Sequence, residues 1–436
     1  MSIHFSDAFS HTGQTFFSPN YEYIASANKN RLIIRNTLDM EVVHIFSCQD
    51  VIQKVSWSKD SKLVLCGCFK RSLVQVFLIA DPEWKCRIHD PLASIVNCYW
   101  APDSRHVITV ADFQLRLTIW SLVNRSGRYI SYPKFSDKGI CFNNDGTLMA
   151  VLRRENCKDS VRLYSVENWE QVLEKELSST DAGNLAFSHD SSCLIYYESE
   201  LNFVLNVISI TGKPVYCLKN EEPGLGIKNV SVSNSLLGIG GFNERLVLVN
   251  SLTWNPITSL IHSSPIQSDD VTIYEEVFGI PESDTSLHVT NGVERSWFRI
   301  VQPPVVLENI PPSLSKPNPK IGVSLIEFSF DEKYVATRND NMPRCVWIWS
   351  VTSLKLVSVV ILKETVKNFK WSPKEINLII LSGNTNVYFW DLEGASCANI
   401  PLSCVKPSRL YFDDFGGKLL LCDKEKYCFC YLNSDN

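Results

Sequence analysis

A pattern that returns every 40 to 45 residues constrains this chain more than any other feature. Aligned on the aromatic or apolar residue that precedes a polar turn, Phe17, Trp57, Trp100, Phe142, Phe187, Val232, Phe328, Trp371 and Phe412 stand 40, 43, 42, 45, 45, 96, 43 and 41 residues apart. The copy from Ile326 to Trp349 shows the unit most clearly. Ile326 and Phe328 alternate with polar neighbours, Ser329 to Lys333 make a polar turn, and Tyr334 to Thr337 open a second strand. Cys345 to Trp349 then supply a β-branched and aromatic third strand. Alternation with period two, bounded by turn formers, is what short strands look like in sequence.

A meander of three or four strands leaves its edges bare unless further copies flank it. Repeated at this spacing, the unit implies a radial propeller of the WD-repeat type. The chain is therefore expected to be all-β, a WD-repeat-like β-propeller of about nine repeat units that takes up residues 1–436 as a single domain. Ser2 to Phe9 reads as a lone strand, whereas the last repeat, Leu410 to Tyr431, carries only three. The N-terminal strand is expected to complete that last blade and close the ring. The gap of 96 residues holds one repeat plus an insertion, or a second, degraded repeat. Within it, residues 262–320 carry Pro265, Pro281, Pro303, Pro304, Pro311, Pro312, Pro317 and Pro319. Proline at that density removes ladder donors, so a Pro-rich insertion emerging from the ring as an exposed excursion is expected. Val271 to Glu275 and Ser296 to Val301 are strand-like pieces able to extend a blade edge.

Composition excludes several classes of function. With 20% charged residues and a formal charge of −5, the chain lacks the basic excess of a wholesale nucleic-acid binder. Met1 to Gln14 is polar and no apolar run reaches about 18 residues, so no membrane association is expected and the protein is placed inside the cell. The 15 cysteines are scattered through strands of a large chain, which reads as buried thiols rather than a disulfide framework.

No catalytic, cofactor-binding or metal-binding residue is assigned. Gly224 with Gly226, and Gly238 with Gly240 and Gly241, lack the spacing and the strand-to-helix setting of a phosphate loop. No GxSxG elbow occurs. Cys66 with Cys68 and Cys428 with Cys430 share strand faces, but no CxxC, HxxxH or HExxH accompanies them. Charge is distributed in a more telling way. Turns between second and third strands carry Lys29, Arg31, Lys70, Arg71, Arg153, Arg154, Arg245 and Arg338, whereas turns between first and second strands carry Asp60, Asp103, Asp145, Asp190, Asp331 and Asp413. Either the ring is polarised, basic at one mouth and acidic at the other, or the aspartates are only turn formers and the cations only solvated. On the first reading Lys70, Arg71, Arg153, Arg154, Arg245 and Arg338 are the candidate partner-binding residues.

One segment is specific enough to suggest a family. ATRNDNMP at Ala336 to Pro343, preceded by NPKIG at Asn318 to Gly322 and followed by the VWIW strand, resembles a centrosomal and spindle-pole WD-repeat family, called WD-repeat protein eight or the WRAP antisense family. KRSLVQV at Lys70 to Val76, PEWKC at Pro82 to Cys86, NCKD at Asn156 to Asp159 and LGIKN at Leu225 to Asn229 spread the resemblance over nearly the whole chain. It implies a non-enzymatic scaffold at centrosomes and spindle poles, paired with a coiled-coil centrosomal anchoring protein and, in fission yeast, with a minus-end-directed kinesin, that holds microtubule minus ends. It also implies a link to cilium assembly. A general adaptor, such as the substrate receptor of a ubiquitin ligase, is the competing reading. The sequence departs from the general repeat in having its one WD dipeptide at Trp390 and Asp391 and no Gly-His dipeptide, so the usual hydrogen-bonded tetrad is expected to be mostly missing.

Overall fold

Alternating strands that bury one face need a second sheet against that face, and the repeat supplies one about every 42 residues. In a computed structural model, described over residues 2–219, 224–279, 295–312 and 320–433, the described residues form nine sheets in the manner of propeller blades. The chain divides into two compact units. Ser10–Gly224 holds blades 1 to 5 (residues 15–47, 54–89, 95–131, 140–176 and 182–219), and Met1–Phe9 with Leu225–Asn436 holds blades 6 to 9 (227–261, 323–361, 368–399 and 409–433).

In the first unit every blade is a four-stranded antiparallel meander. Blade 2, for example, runs through Lys54–Trp57, Leu63–Cys68, Leu73–Leu78 and Lys85–His89. Blade 3 runs through Ile95–Trp100, His106–Ala111, Arg116–Ser121 and Gly127–Ser131, and blade 4 through Ile140–Phe142, Leu148–Glu155, Lys158–Ser165 and Gln171–Glu176. The core belongs to pairs of blades. Ala25, Ile34 and Phe46 of blade 1 pack on Val55, Val64 and Phe77 of blade 2, and Leu65, Val74 and Val76 of blade 2 pack on Ile95, Cys98 and Val107 of blade 3. At about 1.5–3 kcal/mol for each large aliphatic side chain removed from water, neighbouring blades stabilise one another and none is independent.

Two side-chain devices repeat with the blades. In the first hairpin a serine accepts the N–H five residues on and donates to an acid or amide two residues on. Ser58, Ser188 and Ser329 meet Asp60, Asp190 and Asp331 at 2.6, 2.5 and 2.7 Å, and Ser18 meets Asn20 at 2.7 Å. The second device is the tryptophan that ends several first strands. The indole N–H of Trp57 reaches back to Phe16 O (3.2 Å), that of Trp100 to Ser56 O (3.0 Å) and, in the second unit, that of Trp371 to Glu327 O (3.0 Å). A large apolar side chain thus packs between blades while its one donor is satisfied by the blade before it.

In the second unit the ends of the blade series are joined as the sequence led one to expect. Ser2–Phe5 pairs antiparallel with Lys426–Asn433, Ile3 facing Leu432 and Phe5 facing Cys430, and becomes the outer strand of blade 9. Ile3 and Phe5 add to the core of blades 8 and 9 with Leu410, Leu421 and Cys428.

The described parts of 262–320 are packed, where an exposed excursion was expected. Thr272–Gly279 lies parallel to Lys355–Ile361, the outer strand of blade 7, and Arg295–Val301 pairs with it from the other side, so this sheet has six strands. Ile266, Val271, Ile273 and Leu307 are buried with Trp347 and Trp349. The strand-like pieces read from sequence are therefore blade extensions, and the prolines at Pro265, Pro303 and Pro304 bracket them. Pro281, Pro317 and Pro319, with Asn318 of NPKIG, lie outside the described residues.

Candidate interaction face

Meander topology sends the turns between second and third strands, and the connection into each blade, to one end of the strands. The turns between first and second strands gather at the other end. At that second end, Asp60, Asp190 and Asp331 are held by the serine turns described above. Burial opposes ionisation of Asp190 and Asp331, yet the hydroxyl and N–H donors around them outweigh it and hold both carboxyls below the usual range. Asp103 is bonded to the His106 ring at 2.5 Å, and Asp413 accepts the Lys418 N–H at 3.1 Å. These aspartates build turns.

The six candidate cations separate into two groups. Lys70 and Arg71 sit on a 3-10 turn, Phe69–Arg71, between the second and third strands of blade 2. Both are exposed, Arg71 with its Nε 3.7 Å from Asp50. Arg154 is partly exposed and bonded to Asp181 at 2.7 Å, and Arg245 is exposed at the start of its strand. Arg153 differs. It is 1% exposed, with its Nε on Ser131 O at 2.6 Å and its guanidinium nitrogens 3.3 Å from Glu174 and Glu155. Successive side chains of a strand point to opposite faces, so Arg153 and Arg154 in Leu148–Glu155 cannot both reach the rim, and Arg153 is corrected to an interior ion-paired role. Arg338 is corrected likewise, since it donates to Val366 O (2.7 Å), Ser324 Oγ and Asp340 (2.9 Å) within its own unit.

Two ionic knots at these turns were not foreseen. In the first unit, the buried Lys134 ammonium meets Asp159 at 2.8 Å, Asp181 at 2.6 Å and Ala182 O at 2.7 Å, while Asp159 also accepts the Ala182 N–H. In the second unit Lys228 meets Asp340 at 2.6 Å and the Ile321 carbonyl. Buried charges persist only when paired and hydrogen-bonded in this way. Their partners come from different repeats, so no local spacing announces them.

ATRNDNMP is explained by the same kind of wiring. Asn339, wholly buried, donates to Glu244 at 2.7 Å and accepts the Asn341 N–H, and Asn341 in turn accepts the Gly322 N–H at 3.0 Å. Thr337 links to a histidine that sequence reading passed over. His262 Nδ1–H donates to Glu244 O, its Nε2 accepts from the Thr337 hydroxyl at 2.7 Å, and the Trp349 indole donates to the same hydroxyl at 3.0 Å. Burial pushes the His262 imidazole down to about 4. Blade 7 thus carries a His–Thr–Trp part of the hydrogen-bonded network that the repeats were expected mostly to lack. The Thr and Trp positions recur in blade 3 as Trp120 on Thr109 (2.9 Å), and that spacing of eleven or twelve residues was the available signal.

The first-unit face that carries Lys70 and Arg71 also presents Leu92, Phe113, Leu115 and Tyr132 to solvent. Among the described residues no group of three or more His, Cys, Asp or Glu is arranged to hold a metal ion. A groove of about 730 Å³ beside the outer strands of blades 4 and 5 is lined by Leu177, Tyr196, Asn206 and Tyr216, among others.

No family model matches the chain. It is 31% identical over 99% of its length, and 96% of the other's, to the WD repeat-containing protein WRAP73 of Mus musculus. It is 24% identical, over 99% of this chain and 93% of the other, to an uncharacterized WD repeat-containing protein of Schizosaccharomyces pombe. The solved C-terminal WD40 domain of Sif2 superposes with a TM-score of 0.51 at 11% identity, covering 92% of this chain and 99% of that one, a likeness of fold.

Proposed function

The chain belongs to the WD-repeat family of WRAP73, and from that premise we propose that it is a non-enzymatic scaffold of the cytoskeleton, residing at the centrosome or spindle pole. There it binds a coiled-coil centrosomal anchoring protein and helps anchor microtubule minus ends, with a minus-end-directed kinesin as a further partner and cilium assembly as a second setting. What supports an interaction scaffold is the family, whose WD repeats serve protein association. What supports the finer reading is the resemblance carried by ATRNDNMP and its companion segments.

The observation that carries the reading to particular residues is the exposed face of blades 2 to 4, where turns cross-linked by backbone hydrogen bonds hold Lys70 and Arg71 outward. Surface charges contribute only about 0–1 kcal/mol each but steer association. Recovery of the tagged protein from dividing cells tests the proposal. A coiled-coil centrosomal protein among the partners, lost in a Lys70→Glu, Arg71→Glu variant of unchanged melting temperature, is the expected result. Recovery of a cullin complex in its place would favour a ubiquitin-ligase substrate receptor and overturn the anchor. Arg153 is left out of the charge reversal because a glutamate there would be buried against Glu174.

A further inference from the structure

Large apolar side chains in contact with water are ordinary when scattered and informative when they adjoin. Leu92 is 95% exposed and Phe113 85%, more than any other large apolar residue of the first unit, and Leu115 and Tyr132 are 53% and 48% exposed. They come from three segments stitched side by side. The Asp112 N–H donates to Ser94 O at 2.8 Å, the Tyr132 N–H to Leu115 O at 3.2 Å, and the Arg154 N–H to Tyr132 O at 3.2 Å. Ser72, next to Arg71, has its hydroxyl 3.5 Å from that of Ser94. The four side chains therefore stand along one row of paired backbone, with Lys70 and Arg71 at one end and Arg154 at the other. Phe113 and Gln114 both hold φ near +50° (53° and 55°), a backbone region that L side chains seldom occupy, and this turns the Phe113 ring out of the blade.

We propose that this row is the docking surface for an amphipathic helix of a partner protein, its apolar stripe on Leu92, Phe113, Leu115 and Tyr132 and its carboxylates on Lys70 and Arg71. The proposal gives residues to the scaffold reading above and rests on it. Two observations select the occupant. Paired backbone segments repeat about every 4.8 Å and a helix turns every 5.4 Å, so apolar residues at i, i+3/i+4 and i+7 meet successive side chains of the row. An extended strand, whose same-face residues recur at roughly 6.8 Å, falls out of step. The second observation is charge. In the pairs Arg71–Asp50 and Arg116–Asp90 along this row the guanidinium is the outer member, 63% exposed against 24% and 32% against 11%, so the solvent side of these two pairs is cationic, whereas at the far end Asp181 is the outer member of its pair with Arg154, 47% against 38%. That field suits a helix edged with glutamate or aspartate and repels one edged with lysine.

The test uses the full chain and synthetic peptides of about 14 residues, near the 20 Å of helix that the row accommodates. Each carries leucines at helical spacing and is flanked by glutamate, flanked by lysine, or interrupted by proline, and binding is read by fluorescence anisotropy. The glutamate-flanked helix is expected to bind about tenfold more tightly than either control. That binding should vanish in a Leu92→Ser, Phe113→Ser variant, and survive in a Leu38→Ser, Val123→Ser variant, whose residues are also exposed, 80% and 68%, but lie at the opposite strand ends. Equal binding of all three peptides, binding of none, or binding that survives Leu92→Ser, Phe113→Ser at unchanged melting temperature overturns the proposal. The same variant recovered from dividing cells separates this proposal from the scaffold reading. If it still brings down its coiled-coil partner, the row is not the docking site and the scaffold stands.

Discussion

The turn between the second and third strands is built in opposite ways in blades 3 and 7. In blade 7 it is residues 340–343, drawn inward. Asn341 and Met342 are buried, Asp340 is held by Lys228, Ser324 and Arg338, and the backbone is closed by bonds from Met342 to Asn339 and from Asp340 to Gly322. In blade 3 it is residues 112–115, turned outward, with Phe113 and Leu115 in water and a left-handed backbone at two residues that are not glycine. The bonds that fix this second turn stay within its own blade, chiefly the main-chain ones from Asp112 to Ser94 and Tyr132 to Leu115, with the Phe113 N–H donating to the Asp112 carboxylate at 2.8 Å. The lesson is that one position of a repeat serves cohesion when its side chains are spent on neighbouring blades, and is free for recognition when bonds within its own blade suffice to hold it. The most family-specific stretch of the sequence is on the cohesive side of that division.

The contrast breaks most severely at Gly322, which has φ +74° and would drive a Cβ into the Gly241 carbonyl oxygen and the Phe242 backbone. Gly322→Ala is expected to cost about 4 kcal/mol, read as a drop in the urea midpoint, and wild-type stability in that variant would show that the inward turn is not tightly fitted. Asn339→Ala leaves Glu244 without its buried donor and is expected to cost about 2–3 kcal/mol by the same measurement. The pH dependence of stability sharpens the comparison further. The folded His262 titrates near 4, below the 6.5 of an unfolded histidine, so the unfolded chain binds the proton first. Stability from this group is complete above about pH 6.5 and is lost as pH falls toward 4, by up to about 3 kcal/mol. Thermal melts of the wild type and of His262→Asn across that range should converge at low pH, and parallel curves would contradict a buried neutral imidazole. The smallest effect belongs to the open turn. Phe113→Ser should shift stability by no more than about 0.5 kcal/mol in either direction, and a loss beyond 1 kcal/mol would mean that the ring is packed after all.

What was legible in the sequence follows from what is local. Strand alternation, the serine turns of SKDSK, SHDSS and SFDEK, and the missing fourth strand at Leu410 to Tyr431 each lie within one repeat, and each is found where it was read. The parallel addition of Thr272–Gly279 to Lys355–Ile361 joins segments 86 residues apart at Thr272 and Ser358, which no period of 42 contains. The cationic rim was overread because charge was counted by turn rather than by strand face. Arg153 closes a run, Met149 to Leu152, in which every residue is buried, so the strand carries no alternation that would have marked it as interior. The apolar row was missed because Leu92, Phe113 and Tyr132 look, one at a time, like strand residues at a boundary. Only the bonds between their segments make them neighbours.

The pairing of Ser2–Phe5 with Lys426–Asn433 also has a meaning in time. The Phe429 N–H rests on the Ser6 hydroxyl, 423 positions away. Synthesis at about 5–20 residues per second therefore separates the two strands by on the order of a minute. Through that interval Ser2–Phe5 has no ladder to join, and blade 9, once made, keeps a bare edge along Lys426–Asn433 until Ser2–Phe5 returns to it. A tag or fusion that delays that return lengthens a period in which this edge is open to pairing with another chain.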